Sequence, residues 1–267
     1  MEDLKQWPSL EPIESQVRHV ASFSGGKDST AMVLRLIEED LPLDEIVFFD
    51  TGWEFPAMYA HIDNFEQYIN RPITRLHPRE PFDVTMSTRP GRRRNKLSPD
   101  HGQVYRYGSG WPTPVRRWCT REKTSVLRRH CGDALFYVGI AYDEPKRLKQ
   151  HLYPLVDWKM TEADCLRRCR DSGFDFGGLY QYFSRVSCFC CPLKALRDYR
   201  TLRQHFPELW TEMLDKSDRI VSPIGRLFHH ARTVRDLDAR FAAESDQQTF
   251  SFYRSGSSLP LFNVLTS

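Results

Sequence analysis

Three groups of residues in this chain have the types and spacing to do chemistry. The first is 22–30, Ser-Phe-Ser-Gly-Gly-Lys-Asp-Ser-Thr. Gly25 and Gly26 let the backbone turn sharply and approach a ligand closely. A helix-like apolar pattern follows at Ala31, Met32, Val33, Leu34, Leu36 and Ile37, so the loop opens onto a helix N-terminus, which favours an anion. Ser22, Ser24, Ser29 and Thr30 add hydroxyls and Lys27 a mobile positive charge. The second group is Cys188, Cys190 and Cys191, with Cys119 lying 69 residues before Cys188. The two-residue gap between Cys188 and Cys191 lets both sulfurs face one metal. The third group is basic. Residues 89–130 hold twelve Lys or Arg against Asp100 and Glu122, a local +10 in a chain of net charge +3. Such a block suits a phosphate-rich partner, with Arg92, Arg93, Arg94 and Arg116 as its polymer-binding candidates; a solvated loop without a partner is the plainer reading.

The elements that must position these groups can be read from apolar runs. Residues 17–23, 45–50, 72–76 and 135–140 read as buried strands, and 45–50 (EIVFFD) has no polar face, as in parallel sheets. The loop at 24–29, the segment Asp50, Thr51, Gly52 and Glu54, and the segment Gly139, Glu144 and Arg147 then stand at the carboxyl ends of three strands. Open α/β sheets bind ligands at those ends, and the convergence of three such segments argues for a site. Helices are expected at 56–69 and from 117 through 130, and another after the capping residue Thr161. A strand is expected at 153–158. Cys165 and Cys169, four apart, share a helix face, and the aromatic run 174–183 is expected to pack under the cysteine region. Residues 78–116, with six prolines and four glycines, read as a long basic insertion, mobile without its partner. Within it Tyr105, Tyr107 and Trp111 lie among cations; they can stack on bases or pack the loop down. Residues 1–16 read as a leading arm, 193–244 as helical, and the last twenty or so as lacking a clear period.

The loop is not of the Walker type, which requires Gly where Ala21 stands and Ser or Thr where Asp28 stands. Ser-Gly-Gly-Lys-Asp-Ser resembles the PP-loop of the adenine nucleotide alpha-hydrolase superfamily, whose members break ATP between its α- and β-phosphates or bind an adenylylated sulfur compound. The Arg-x-Cys-Thr element at 117–120, the basic helix after it, the Gly139-to-Arg147 segment and the Cys-x-x-Cys-Pro turn at 188–192 make the chain similar to the phosphoadenosine phosphosulfate reductase family over about residues 17–195. The resemblance implies a doubly wound parallel sheet with helices on both faces, here over 1–192, with a helical C-terminal extension at 193–267. It implies that Ser24, Gly25, Gly26, Lys27, Asp28 and Ser29 hold phosphates. The segment Asp50, Thr51, Gly52 and Glu54 would lie beside the nucleotide, with Gly139, Glu144 and Arg147 near it. The sulfate-assimilating reductases use a nucleophilic cysteine in a late Glu-Cys-Gly-Leu-His motif, and no cysteine follows Cys191 here. That departure points to relatives that activate a nucleic acid for sulfur insertion.

The expected function is therefore an ATP pyrophosphatase that adenylylates an acceptor for sulfur transfer, with Lys27 and Asp28 catalytic. Its cofactors are ATP, Mg2+ and a [4Fe–4S] cluster on Cys119, Cys188, Cys190 and Cys191. Zinc and free thiols stay open, as does Cys165 or Cys169 as fourth ligand. Adjacent Cys190 and Cys191 point different ways in most backbones, so one of them need not ligate. The other functional readings are a reductase of adenylyl or phosphoadenylyl sulfate and a non-catalytic nucleotide- or nucleic-acid-binding module. The expected partners are an adenine nucleotide, a nucleic acid on the 89–130 block and a sulfur-donor protein. Cys131 and the nine histidines read as core or surface residues. No apolar run approaches the ~18 residues that span a bilayer, and no signal-peptide pattern opens the chain, so a cytoplasmic protein is expected.

Overall fold

The computed structural model describes residues 17–148 and 151–254; the leading arm expected at 1–16 and the end of the chain beyond 254 lie outside them. The described residues fall into two compact units, each assembled from three segments of chain. One gathers 17–50, 56–77 and 123–180, the other 51–55, 78–122 and 181–254.

The first unit is built on a parallel sheet. β1 (His19–Phe23) leads into α1 (Lys27–Glu38), β2 (Glu45–Phe49), α2 (Pro56–Ile69) and β3 (Ile73–Leu76). Strand order is β3-β2-β1-β6, all parallel, with β6 at Leu135–Val138. The chain thus winds from β1 outward to β3 and returns on the other side of β1, which makes the β1/β6 crevice the switch point where such sheets take ligands. Val20, Ala21, Phe23, Ile46, Val47, Phe48 and Phe49 are all but fully buried, as expected for strands covered on both faces. Pro56 at the first position of α2 fits a helix start, where the missing N–H is not needed. The amphipathic α1 buries Ala31, Met32, Val33, Leu34 and Leu36.

The second unit carries the insertion and the C-terminal helices. Here α3 (Phe82–Ser87) precedes an antiparallel ribbon of β4 (Pro90–Arg92) and β5 (Val104–Tyr107). α4 (Trp118–Cys131) starts in this unit and ends in the first. The insertion does not hang loose. Trp111 is 1% exposed, packs on Phe228 and Trp53 and donates its backbone N–H to Gly225 O. Gly110 is needed there, because a Cβ on it would stand 2.3 Å from the Gly225 Cα.

After β6 the expected strand at 153–158 is replaced by α5 (Pro154–Asp157). Only Leu152 extends the sheet, by one bridge to Tyr137, and Pro154 then opens a helical turn. α6 (Glu162–Asp171) follows, then α7 (Leu179–Tyr182), α8 (Leu196–His205), α9 (Pro207–Asp218) and α10 (Val234–Arg254); α10 carries helix into the stretch that has no clear period in sequence. Three 3-10 turns punctuate these at Pro145–Arg147, Phe176–Gly178 and Ile224–Arg226. The aromatic run is shared out: Phe174 and Phe176 pack on His61 of α2, while Phe183 packs on Phe55 and Phe206. No described helix is long and apolar enough to cross a membrane.

Candidate functional site

The loop at 24–29 sits at the switch point and is held by its own side chains. Gly25 has φ +75°, and a Cβ there would come within 3.0 Å of Met58 and Ile62 side chains; only glycine fits. Ser29 is buried; its Oγ accepts from Ser24 N at 3.1 Å and donates to Gly26 O at 3.0 Å. Gly26 opens α1 without a side-chain cap. The hydroxyl of Tyr180, 153 residues away, accepts the Lys27 N–H at 2.8 Å, taking one of the donors that a helix start leaves unsatisfied. Gly139, after β6, is a packing glycine: a Cβ on it would lie 2.8 Å from Ser29 N and 2.9 Å from Ser29 Cα. Ser22 lies within β1, paired with Val47 and Val138.

Lys27 is buried, and its ammonium donates to Asp28 Oδ1 at 2.9 Å and Glu162 Oε1 at 2.8 Å. Burial works against that charge, but the two carboxylates outweigh it and hold the Lys27 pKa above its ordinary value. Burial raises the pKa of Asp28; Lys27 opposes the rise, while Glu162 and Glu144 add to it. Asp28, Glu144 and Glu162 each place an oxygen within 4.8 Å of the others, the one such group among the described residues. Arg147 is ion-paired to Glu144. Glu162 is set by the start of α6, where Thr161 and Asp164 form a reciprocal capping box and Asp143 accepts the Glu162 N–H at 3.1 Å. Sequence reading finds that capping signature but not the role of Glu162, which reaches Lys27 across 135 residues. Cys165 and Cys169 are fully buried on α6, and the Cys169 thiol donates to Lys27 O at 3.3 Å. Burial pushes the Cys169 thiol up to about 12. These two are packing thiols behind the loop.

Asp50, at the tip of β2, accepts from the Tyr59 hydroxyl at 2.7 Å. The three residues expected beside it belong to the second unit. There Thr51 Oγ1 donates to Glu54 at 2.8 Å and lies 3.5 Å from Cys188 Sγ, while Gly52 takes φ +74°.

The cysteine turn lies in that second unit. Phe189 N donates to Trp53 O, and Tyr199 Oη donates to Cys191 O at 2.8 Å. Cys190 is the member that turns inward, fully buried on the side of Lys216 and Asp83. Cys119, Cys188 and Cys191 are partly exposed and feel one another's charge. Burial raises the thiol pKa of Cys119 and Cys188, so something must compensate a thiolate there. Lys194 has the right character. Its ammonium is buried with no hydrogen-bond partner and lies 5.0 Å from the Phe183 ring centre and 5.5 Å from that of Phe55. Burial lowers its pKa, while Cys191, Asp198, Cys188 and Cys190 pull it back. A buried cation without a hydrogen-bond partner that feels Cys188, Cys190 and Cys191 fits a thiolate set. The donor set, thiolates in a partly buried turn, suits an iron–sulfur cluster or tetrahedral zinc.

On the basic ribbon, Arg92 Nη1 donates to Gly102 O at 2.8 Å, Arg93 stands 3.8 Å from Asp100, and Arg116 donates to Ser109 O. Arg94 is exposed.

A family model described as "Phosphoadenosine phosphosulfate reductase domain" matches residues 18–194. Uncharacterized protein MJ0066 of Methanocaldococcus jannaschii is 24% identical over 215 residues, covering 72% of this chain and 39% of its own length. MJ0973 of the same organism is 22% identical over 215 residues, covering 73% and 46%. The uncharacterized nin region protein ORF290 of Escherichia phage lambda is 27% identical over 266 residues, covering 86% and 87%. The chain thus spans less than half the length of the two archaeal relatives. Among solved structures, the U34-tRNA thiolase NcsA from Methanococcus maripaludis with its [4Fe-4S] cluster is similar at a TM-score of 0.36 and 15% identity, covering 76% of this chain and 72% of that one.

Proposed function

The chain belongs to the phosphoadenosine phosphosulfate reductase domain family, and from that premise we propose that it is an ATP pyrophosphatase that adenylylates a nucleic-acid acceptor for sulfur transfer. The observation that carries this reading is the charge arrangement at the loop. Lys27 is tied to Asp28 and Glu162, and Arg147 to Glu144 beside them, so two cations meet three carboxylates and one negative charge is left over. A sulfonucleotide needs no such acidic group. A nucleoside triphosphate arrives with a divalent cation, which takes oxygen ligands and keeps several waters. The loop would receive the phosphates, and Lys27 would turn from the carboxylates to the phosphate oxygens. An acceptor oxygen attacks Pα, the bond from Pα to the bridging oxygen breaks, and pyrophosphate leaves. Lys27 and the N–H groups of α1 meet the charge that develops on it, the dominant contribution in such chemistry.

Cys119, Cys188 and Cys191 would hold an iron–sulfur cluster, with Lys194 offsetting its negative charge. Bound there, a cluster supplies a thiophilic centre for sulfur. Sulfur transfer to the adenylylated acceptor would then release AMP.

The test is pyrophosphate release from MgATP with single-stranded DNA or RNA as acceptor. Wild type is expected to release pyrophosphate, and Lys27→Ala to lose roughly a hundredfold or more of the rate with its circular dichroism unchanged. Full activity of that variant would overturn the role of Lys27. Sulfite release from phosphoadenylyl sulfate, with no pyrophosphate under any acceptor, would make the protein a reductase instead.

A further inference from the structure

The ribbon of the second unit carries a feature beyond charge. Tyr105 and Tyr107 both lie on β5, where the pairing with β4 slips between Gly91 and Arg92 and leaves Tyr105 as the extra residue between Val104 and Arg106. They are 54% and 52% exposed, whereas Trp111 of the same insertion is buried and does the anchoring. The guanidinium groups of Arg93 and Arg106 lie 5.8 Å and 5.5 Å from the Tyr105 ring centre. Arg92, Arg94, Arg106, Arg116 and Arg121 make no ion pair among the described residues. Arg106 and Arg121 lie close enough to Arg116 for their repulsion to be felt there. The patch therefore offers two exposed aromatic rings among arginines of which Arg93 alone is paired, to Asp100.

We infer that this ribbon is a docking surface for unpaired nucleic acid, with Tyr105 and Tyr107 as stacking platforms and the surrounding arginines as phosphate contacts. A duplex covers the faces of its bases and would use only the charge. A single strand can offer each ring a base face, and every base has one. The surface also sits beside the cysteine site along the chain, since Arg116 and Arg121 flank Cys119 in the turn that opens α4. This inference rests on the acceptor being a nucleic acid and narrows it to a strand whose bases are open.

The test is fluorescence anisotropy with fluorescein-labelled 15-mers of one sequence, as single-stranded DNA, single-stranded RNA and duplex DNA. Single strands are expected to bind more tightly than the duplex; the DNA and RNA arms show which sugar is preferred. The double change Tyr105→Ala with Tyr107→Ala is expected to weaken single-strand binding by about 10-fold per ring and leave duplex binding unchanged. Tyr105→Phe with Tyr107→Phe is expected to bind like wild type. Replacing Arg92, Arg93 and Arg94 with Gln should weaken both forms and reduce the salt slope for single strands by about 2. Equal affinity for single strand and duplex, an unaffected alanine variant, or no binding of any oligonucleotide would overturn the inference. Tight single-strand binding without pyrophosphate release would sink the enzymatic reading and keep this one; pyrophosphate release without strand binding would do the reverse.

Discussion

Lowering the pH from 7 to 5 should loosen the first unit through one imidazole, His61. It is buried on α2 between Phe65, Phe174 and Phe176, and its Nε2 lies 3.1 Å from Thr30 Oγ1 on α1. Burial, opposed only by Asp175, pulls its pKa down to about 4 from the ordinary 6.5. The unfolded chain therefore takes up a proton below pH 6.5 that the folded chain refuses until pH 4. Stability is unaffected above that window and falls as pH drops through it. The shift of about 2.5 units corresponds to about 3 kcal/mol in full, of which about 2 kcal/mol is lost by pH 5. The assay is urea unfolding of wild type and His61→Gln at both pH values. Gln keeps a partner for Thr30 and cannot charge. Wild type should lose about 2 kcal/mol more than the variant between pH 7 and pH 5, and an equal loss in both would refute the buried neutral imidazole. Because Thr30 lies in the first turn of α1, nucleotide affinity should decline over the same range.

Two further outcomes are expected. Gly139→Ala would drive a methyl to 2.8 Å from Ser29 N and push the β6 tip away from α1; calorimetry should show at least a 10-fold loss of ATP affinity, and urea unfolding a loss of about 1–3 kcal/mol. Lys194→Met keeps the bulk and removes an orphaned buried charge, so the metal-free protein should gain stability while anaerobic iron–sulfide reconstitution yields less iron per chain and weaker absorbance. Unchanged loading would remove Lys194 from the cysteine site.

Much of the first unit is legible in the sequence because its signals are local. The glycine turn, the apolar strands and Pro56 each act within a few residues, and α2 falls on 56–69 as expected. The partners of Lys27 are not legible in that way. Glu162 and Tyr180 meet it only because α6 packs along α1 and the segment after it returns to the loop, and periodicity carries no information about which distant carboxylate a lysine will find. The fate of the aromatic residues is similar. Trp111, Tyr105 and Tyr107 look alike among arginines, yet only Trp111 meets Phe228 and Trp53, which belong to other segments of its unit. The strand expected at 153–158 failed for a local reason, since Pro154 suits a helix start better than an interior strand.

The polypeptide passes between its two units five times. No contiguous piece of the gene encodes either one. A fragment stopped at 192 would keep the loop at 24–29 and all the cysteines, yet strip the second unit of Phe228, which packs on Trp111, and of α9, whose Lys216 pairs with Asp83. Dissection by truncation would therefore report collapse rather than division of labour, and the loop and the cysteine turn are better probed by point substitutions in the whole chain.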